Sequence, residues 1–132
     1  NKLLKPHGKA VIQAITIPEQ RYDQERHSVD FIKRYIFPGG CLPSLAVISD
    51  HLARCTDMQL SGLRDITRDY ARTLEAWHHA FLDELDKVRG MGFDDRFIRM
   101  WRFYLSYCEG GFHERIIGTY QITMTKPGYR PV

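Results

Sequence analysis

The spacing of hydrophobic positions changes period along this chain, and each change marks an element. Lys9 to Ile17 (K-A-V-I-Q-A-I-T-I) is a short, β-branched, nearly continuous apolar run. Its length and Val/Ile content predict a strand buried on both faces. Pro18 through His27 is polar and reads as a connection. Phe31, Ile32, Tyr35 and Ile36 then predict a short helix with Ser28 as its N-cap, ended by the breaker Phe37-Pro38-Gly39-Gly40. Pro43 suits a first helical position, and Leu45, Ile48 and Leu52 make a helical stripe. Met58 to Ile66 alternates imperfectly, as a weaker strand would.

Longer periods follow. Tyr70, Leu74, Trp77, Phe81, Leu85 and Val88 predict one long helix ended by Gly90-Met91-Gly92. A second begins at Asp94, its N-cap, and carries Phe97, Met100, Trp101, Tyr104, Leu105, Cys108 and Phe112 on one side. Gly118 to Lys126 alternates Tyr120, Ile122 and Met124 with polar residues, the period of a strand, and Pro127 closes it. The order is strand, two helices, strand, two helices, strand, an α/β arrangement with a small sheet. At the start, Leu3 and Leu4 followed by Pro6 and Gly8 read as the last turn of a helix. That implies a chain cut from something larger.

Composition narrows the chemistry without naming it. Lys and Arg number 19 against 16 Asp and Glu, a net +3, too small an excess to specify an anionic partner. Three cysteines (Cys41, Cys55, Cys108) without a C-x-x-C pair argue against a disulfide framework or zinc ribbon and fit a reducing, cytoplasmic setting. No apolar run approaches the roughly 18 residues of a membrane span.

There is no glycine loop of the G-x-G-x-x-G kind, no G-x-S-x-G and no H-E-x-x-H. His51 and Cys55, four apart, lack a third ligand, so no metal site is assigned. His78-His79 read as a surface pair, and Arg96, Arg99 and Arg102 share a helix face that either meets phosphates or, the favoured reading, is simply solvated. No nucleic-acid-reading motif is present. The aromatic stripe leaves two readings open. It is a helix face packed on a core, or it lines an apolar pocket whose few hydroxyls supply the partners that buried tyrosines need.

Three segments carry a resemblance. Y-I-F-P-G-G-C-L-P-S (Tyr35 to Ser44), D-Y-A-R-T-L-E-A-W (Asp69 to Trp77) and F-I-R-M-W-R-F-Y-L-S-Y-C-E-G-G-F (Phe97 to Phe112) resemble the cyclopropane-fatty-acyl-phospholipid synthases and the mycolic-acid cyclopropane synthases. The opening L-K-P-H-G and its strand resemble the middle of a class I S-adenosylmethionine-dependent methyltransferase. The resemblance implies that residues 1–132 are the C-terminal part of a Rossmann-like methyltransferase sheet, its last strand antiparallel between two others, with several helices. The half that binds S-adenosylmethionine would lie upstream.

The implied activity is transfer of a methylene from S-adenosylmethionine to a cis double bond of a phospholipid acyl chain, through a carbocation deprotonated by bicarbonate. By resemblance, Tyr70 and the backbone of Ile15 help hold bicarbonate, and Gln13 stands where well-known members carry histidine. An amide can donate a hydrogen bond but cannot change charge as imidazole can. The acyl channel maps onto Phe37, Leu42, Leu74, Tyr104, Cys108 and Phe112, with Tyr70 beside them.

Further expectations accompany this reading. The chain alone is inactive, and the open edge of strand 9–17 pairs with a second copy. The protein sits at the inner face of the membrane, where Arg21, Arg26, Lys33 and Arg34 either meet anionic head groups or form an ordinary charged surface. The alternatives are a sibling lipid methyltransferase giving a branched product, and an acyl-chain-binding module without catalysis.

Overall fold

In the computed structural model, which describes residues 1–130, the chain forms a sheet unit and a helical unit. The sheet unit holds three strands, β1 (Lys9–Thr16), β2 (Gln59–Asp65) and β3 (Gly118–Thr125), in the order β1-β3-β2. The last strand is antiparallel to both neighbours, from Lys9↔Thr125 to Thr16↔Gly118 on one side and Gln59↔Thr125 to Asp65↔Tyr120 on the other. This is the inserted antiparallel strand that the resemblance implied. The alternation of β3 holds, with Ile122 and Met124 joining Met58 in a buried cluster. Leu45, Ile48 and Leu52 of helix α2 (Leu45–Cys55) pack against that cluster, as their spacing predicted.

β1 departs from expectation. It is not buried on both faces: Val11 is 56% exposed and Ile12 41%. The strand pairs only with β3, so it is an edge. Its small Ala10 and Ala14 reach the apolar cluster while much of the remainder meets solvent. β2 is irregular because its register shifts between Leu60 and Gly62, which explains its imperfect alternation.

Other corrections are local. Pro18–His27 is not a plain connection, since helix α1 (Glu19–Glu25) forms there, joined by an Arg21–Glu25 ion pair at 2.8 Å. A solvent-side helix of this kind carries no apolar stripe to betray it. Pro43 precedes α2 and is not its first residue. Ser44 is the N-cap, its hydroxyl accepting from the Val47 N–H at 3.2 Å. Leu3 and Leu4 belong to a hydrogen-bonded turn, Leu4 N–H to the Asn1 carbonyl, where a helical turn was expected.

The helical unit contains α3 (Thr67–Asp83), α4 (Leu85–Gly90), α5 (Asp95–His113) and a π-helical turn at Ile32–Ile36. The single long helix expected from Tyr70 to Val88 is interrupted at Glu84, whose φ and ψ of −104° and 16° leave the helical region. Like charges three apart, Asp83 and Asp86, flank the break. Asp94 caps α5 as predicted, its carboxylate accepting from the Phe97 N–H at 2.8 Å.

Ser28 does not cap the short helical turn. Its hydroxyl donates to Glu25, and Asp30 instead accepts the Lys33 N–H at 2.8 Å. The turn closes with the Phe37 N–H on the Ile32 carbonyl at 2.8 Å, a five-residue step. A tight turn follows, Gly40 N–H to Phe37 carbonyl, with Gly39 at φ +80°. Proline followed by a positive-φ glycine at the two central positions is what a type II turn requires.

Replacing Ile122 by Ala, in the middle of the sheet unit, is expected to cost about 3 kcal/mol. Asp94→Ala should cost about 1 kcal/mol through the lost cap. Urea unfolding followed by circular dichroism reads both.

Candidate functional site

α3 and α5 lie antiparallel, because Tyr70 meets Phe112 while His78, two turns later on α3, meets Ser106, earlier on α5. Ala71 and Leu74 on α3, and Ile98, Leu105 and Phe112 on α5, are buried. The apolar stripe read from the sequence therefore divides. Leu74 and Phe112 are covered, Tyr70, Tyr104 and Cys108 are half-buried beside them, and Trp77 faces outward.

Around Tyr104 the rings form a continuous wall. Trp101 lies 5.0 Å away and Phe37, delivered by the Pro-Gly turn, meets it edge-on at 6.3 Å. Phe97 stacks on Trp101 at 5.6 Å and Phe93 on Phe97 at 4.3 Å. The ring of Tyr70 is edge-on to Phe112 at 5.0 Å and to Trp77 at 6.4 Å. Among the described residues the Tyr70 hydroxyl takes no hydrogen bond, so its donor is available.

The titratable groups of this wall are held neutral. Burial, then the neighbouring Cys108 and Tyr70, raises the Tyr104 phenol above its ordinary value. Burial pushes the Cys108 thiol up to about 11, and the nearby Asp30 carboxylate adds to the effect. Carbon surfaces, the Tyr104 phenol and the Cys108 thiol thus share one locale, a surface that offers hydrogen-bond donors without formal charge.

Asp30 is the member that sequence reasoning missed. The available signal was an acidic residue three before the Lys33 N–H at a helix start, the N-cap pattern that had been given to Ser28.

Of the sequence-derived site residues, the structure brings together Phe37, Tyr70, Leu74, Tyr104, Cys108 and Phe112 in the helical unit. Gln13, Ile15 and Leu42 belong to the sheet unit. Gln13 lies opposite Gln121 with its side chain exposed, and Ile15 lies opposite Thr119, half-buried. Two apart on β1, they point to the same face. Leu42, just after the turn, is exposed.

His51 uses Nδ1 against its own helix, 2.9 Å from the Val47 carbonyl. The His78-His79 pair is only half a surface pair. His79 is exposed, whereas His78 is half-buried, with Nδ1 3.4 Å from the Ser106 hydroxyl and Nε2 without a hydrogen bond. No helix among the described residues is long and apolar enough to cross a membrane.

The arrangement is that of the cyclopropane synthases. It superposes on the cyclopropane synthase MmaA2 from Mycobacterium tuberculosis with a TM-score of 0.82 and 25% identity, covering 95% of this chain and 46% of that one. The mycolic acid cyclopropane synthetase family model matches residues 1–122, and the chain belongs to that family. It is 39% identical over 127 residues to the tuberculostearic acid methyltransferase UfaA1 of Mycobacterium tuberculosis, covering 96% of this chain and 30% of that protein. It is 32% identical over 124 residues to the cyclopropane-fatty-acyl-phospholipid synthase of Escherichia coli, covering 93% of this chain and again 30% of the relative. The chain thus spans less than a third of the length of these two relatives.

The neutral wall can be tested through its thiol. Because the thiolate is the nucleophile, a pKa near 11 keeps Cys108 unreactive at pH 8, while exposed Cys41 and Cys55 are modified. Iodoacetamide labelling read by peptide mass spectrometry should show Cys108 lagging, its rate climbing steadily with pH and levelling off only near 11. Asp30→Asn removes one cause of the shift and should make Cys108 react faster at a given pH.

Proposed function

We propose that this chain supplies the acyl-chain wall of an S-adenosylmethionine-dependent lipid methyltransferase that adds a methylene to the cis double bond of an unsaturated phospholipid chain. The observation that carries the reading is the wall itself, aromatic and uncharged around Tyr104, with the free Tyr70 hydroxyl beside it. S-adenosylmethionine supplies an electrophilic methyl group when bound.

Addition of that methyl to one alkene carbon leaves a cation on its neighbour, and water would quench it. The half-buried rings of Trp101 and Tyr104 keep water away, and their faces favour positive charge over an aliphatic surface, while Phe37, 57% exposed, borders them. Loss of a proton from the added methyl then closes the ring. In the helical unit, Tyr70 is the group that would hold bicarbonate, which supplies a proton acceptor. The Tyr70 hydroxyl, with no partner of its own, fits that task.

A second reading has its own support. By the resemblance Gln13 stands where well-known members carry histidine, and the 39% identical relative bears the name of a methyltransferase. Loss of a proton from a neighbouring chain carbon, in place of the added methyl, gives a branched alkene that is an isomer of the ring. Mild catalytic hydrogenation of the recovered lipid separates the two, since only the alkene takes up hydrogen.

The test pairs this chain with a cofactor-binding half and supplies cis-unsaturated phospholipid. Methylated acyl chains are expected by mass spectrometry, and Tyr70→Phe should lower turnover by about a hundredfold with little change in lipid affinity. Lipid bound without any methylated product would leave an acyl-binding module. By themselves, these 132 residues carry no glycine-rich cofactor loop. They are expected to turn over nothing and to bind S-adenosylmethionine no tighter than millimolar by calorimetry.

The reading places the protein on the cytoplasmic side, peripheral to the inner membrane face. The exposed edge of β1 supports self-association through residues 9–17. A dimer by light scattering at tens of micromolar is expected, and Val11→Lys should return it to monomer.

A further inference from the structure

The basic residues that the sequence singled out for a membrane differ in availability. Arg21 is paired with Glu25 at 2.8 Å and Arg26 with Asp23 at 3.5 Å, both within or beside α1. Arg34, Arg96 and Arg99 have no ion pair among the described residues. On α5, Arg96, Arg99, Phe103 and Tyr107 follow steps of three, four and four. They therefore form one stripe on the side opposite the buried Ile98, Leu105 and Phe112.

The π turn lies along this stripe. Phe31 is edge-on to Phe103 at 4.7 Å and 6.0 Å from Tyr107, and Tyr35 follows at 5.6 Å from Phe31. The Arg34 guanidinium lies 5.4 Å from the centre of the Tyr35 ring. Tyr35 and Phe103 are each 53% exposed and Tyr107 43%. Rings and guanidinium groups without an ion pair thus share one exposed face of the helical unit.

The geometry points to this face as the surface that docks on an anionic phospholipid bilayer, an inference resting on the reading above that the substrate chain lies in a membrane. Headgroup phosphates supply the anions that the arginines lack, and the interfacial layer accepts rings that are apolar in body and polar at the edge. Single-stranded nucleic acid fits less well. The rings lean on one another at interplanar angles from 34° to 84°, leaving no parallel pair open to receive a base.

The test is cosedimentation of the 132-residue protein with phosphatidylcholine vesicles, with and without phosphatidylglycerol, at low and high salt. Binding to the anionic vesicles that weakens with salt is expected. Arg34→Glu with Arg99→Glu, and separately Phe103→Ser with Tyr107→Ser, should each weaken it by about tenfold or more. Arg21→Glu with Arg26→Glu should leave it within about twofold. Circular dichroism confirms that each variant folds, and Arg34→Lys with Arg99→Lys should retain binding.

Three results would overturn the assignment. They are no sedimentation of the unaltered protein, an equal loss in the Arg21 and Arg26 variant, or patch variants that dissociate a dimer while vesicle binding persists. Tighter binding of a single-stranded oligonucleotide than of vesicles would assign the face to nucleic acid instead. Because the readout is binding without turnover, an absence of methyl transfer would defeat the functional reading and leave this result intact.

Discussion

The helical unit depends on one packing arrangement, the antiparallel seating of α3 on α5, with the rings of Tyr70 and Phe112 in an edge contact at 5.0 Å. Leu74, Ile98, Leu105 and Phe112 are removed from water, and the half-buried residues on the same helices inherit fixed positions. Tyr104 and Cys108 stand one turn apart on α5 and share the same low-polarity surroundings. Burial, more than any charge, is what raises both of their pKa values. A wall assembled this way remains neutral over the physiological pH range without sacrificing hydrogen-bond donors.

Under the proposed function, that combination suits a reaction that passes through a cation on a hydrocarbon. Fixed charge near the wall would bring water or counterions with it, whereas ring faces favour positive charge without either. The carboxylate within electrostatic reach of Cys108, Asp30, is occupied by the Lys33 N–H, so its charge is partly committed to the backbone. The same residue thereby fixes the start of the segment that carries Phe37 to Tyr104. The placement of Phe37 and the protonation of Cys108 are linked through one side chain.

Much of this was legible in the chain because it depends on periodicity. β3 announced itself through Tyr120, Ile122 and Met124, and α5 through its stripe and the Asp94 cap. Three features were hidden for physical reasons. α1 is stabilised by charge pairs along a polar surface, so no hydrophobic period reveals it. β1 has the Val and Ile content of a central strand but lies at an edge, and composition does not encode neighbours. The break at Glu84 leaves Leu85 and Val88 in phase with the preceding stripe, so the pattern runs across the interruption. At the site, residue types and resemblance indicated the tyrosines and Cys108, but Asp30 acts through space and through a backbone N–H, which no spacing records.

The π-helical turn at Ile32–Ile36 fits one more residue into its hydrogen-bonded loop than an α-turn would. Deleting a single position there would let the turn relax to the ordinary helical repeat. The five-residue loop and the four-residue loop each make about one turn, so the residues that follow would keep their phase and Phe37 its aim at Tyr104. The spare residue makes this turn the place where the chain can change length without re-aiming what comes after it.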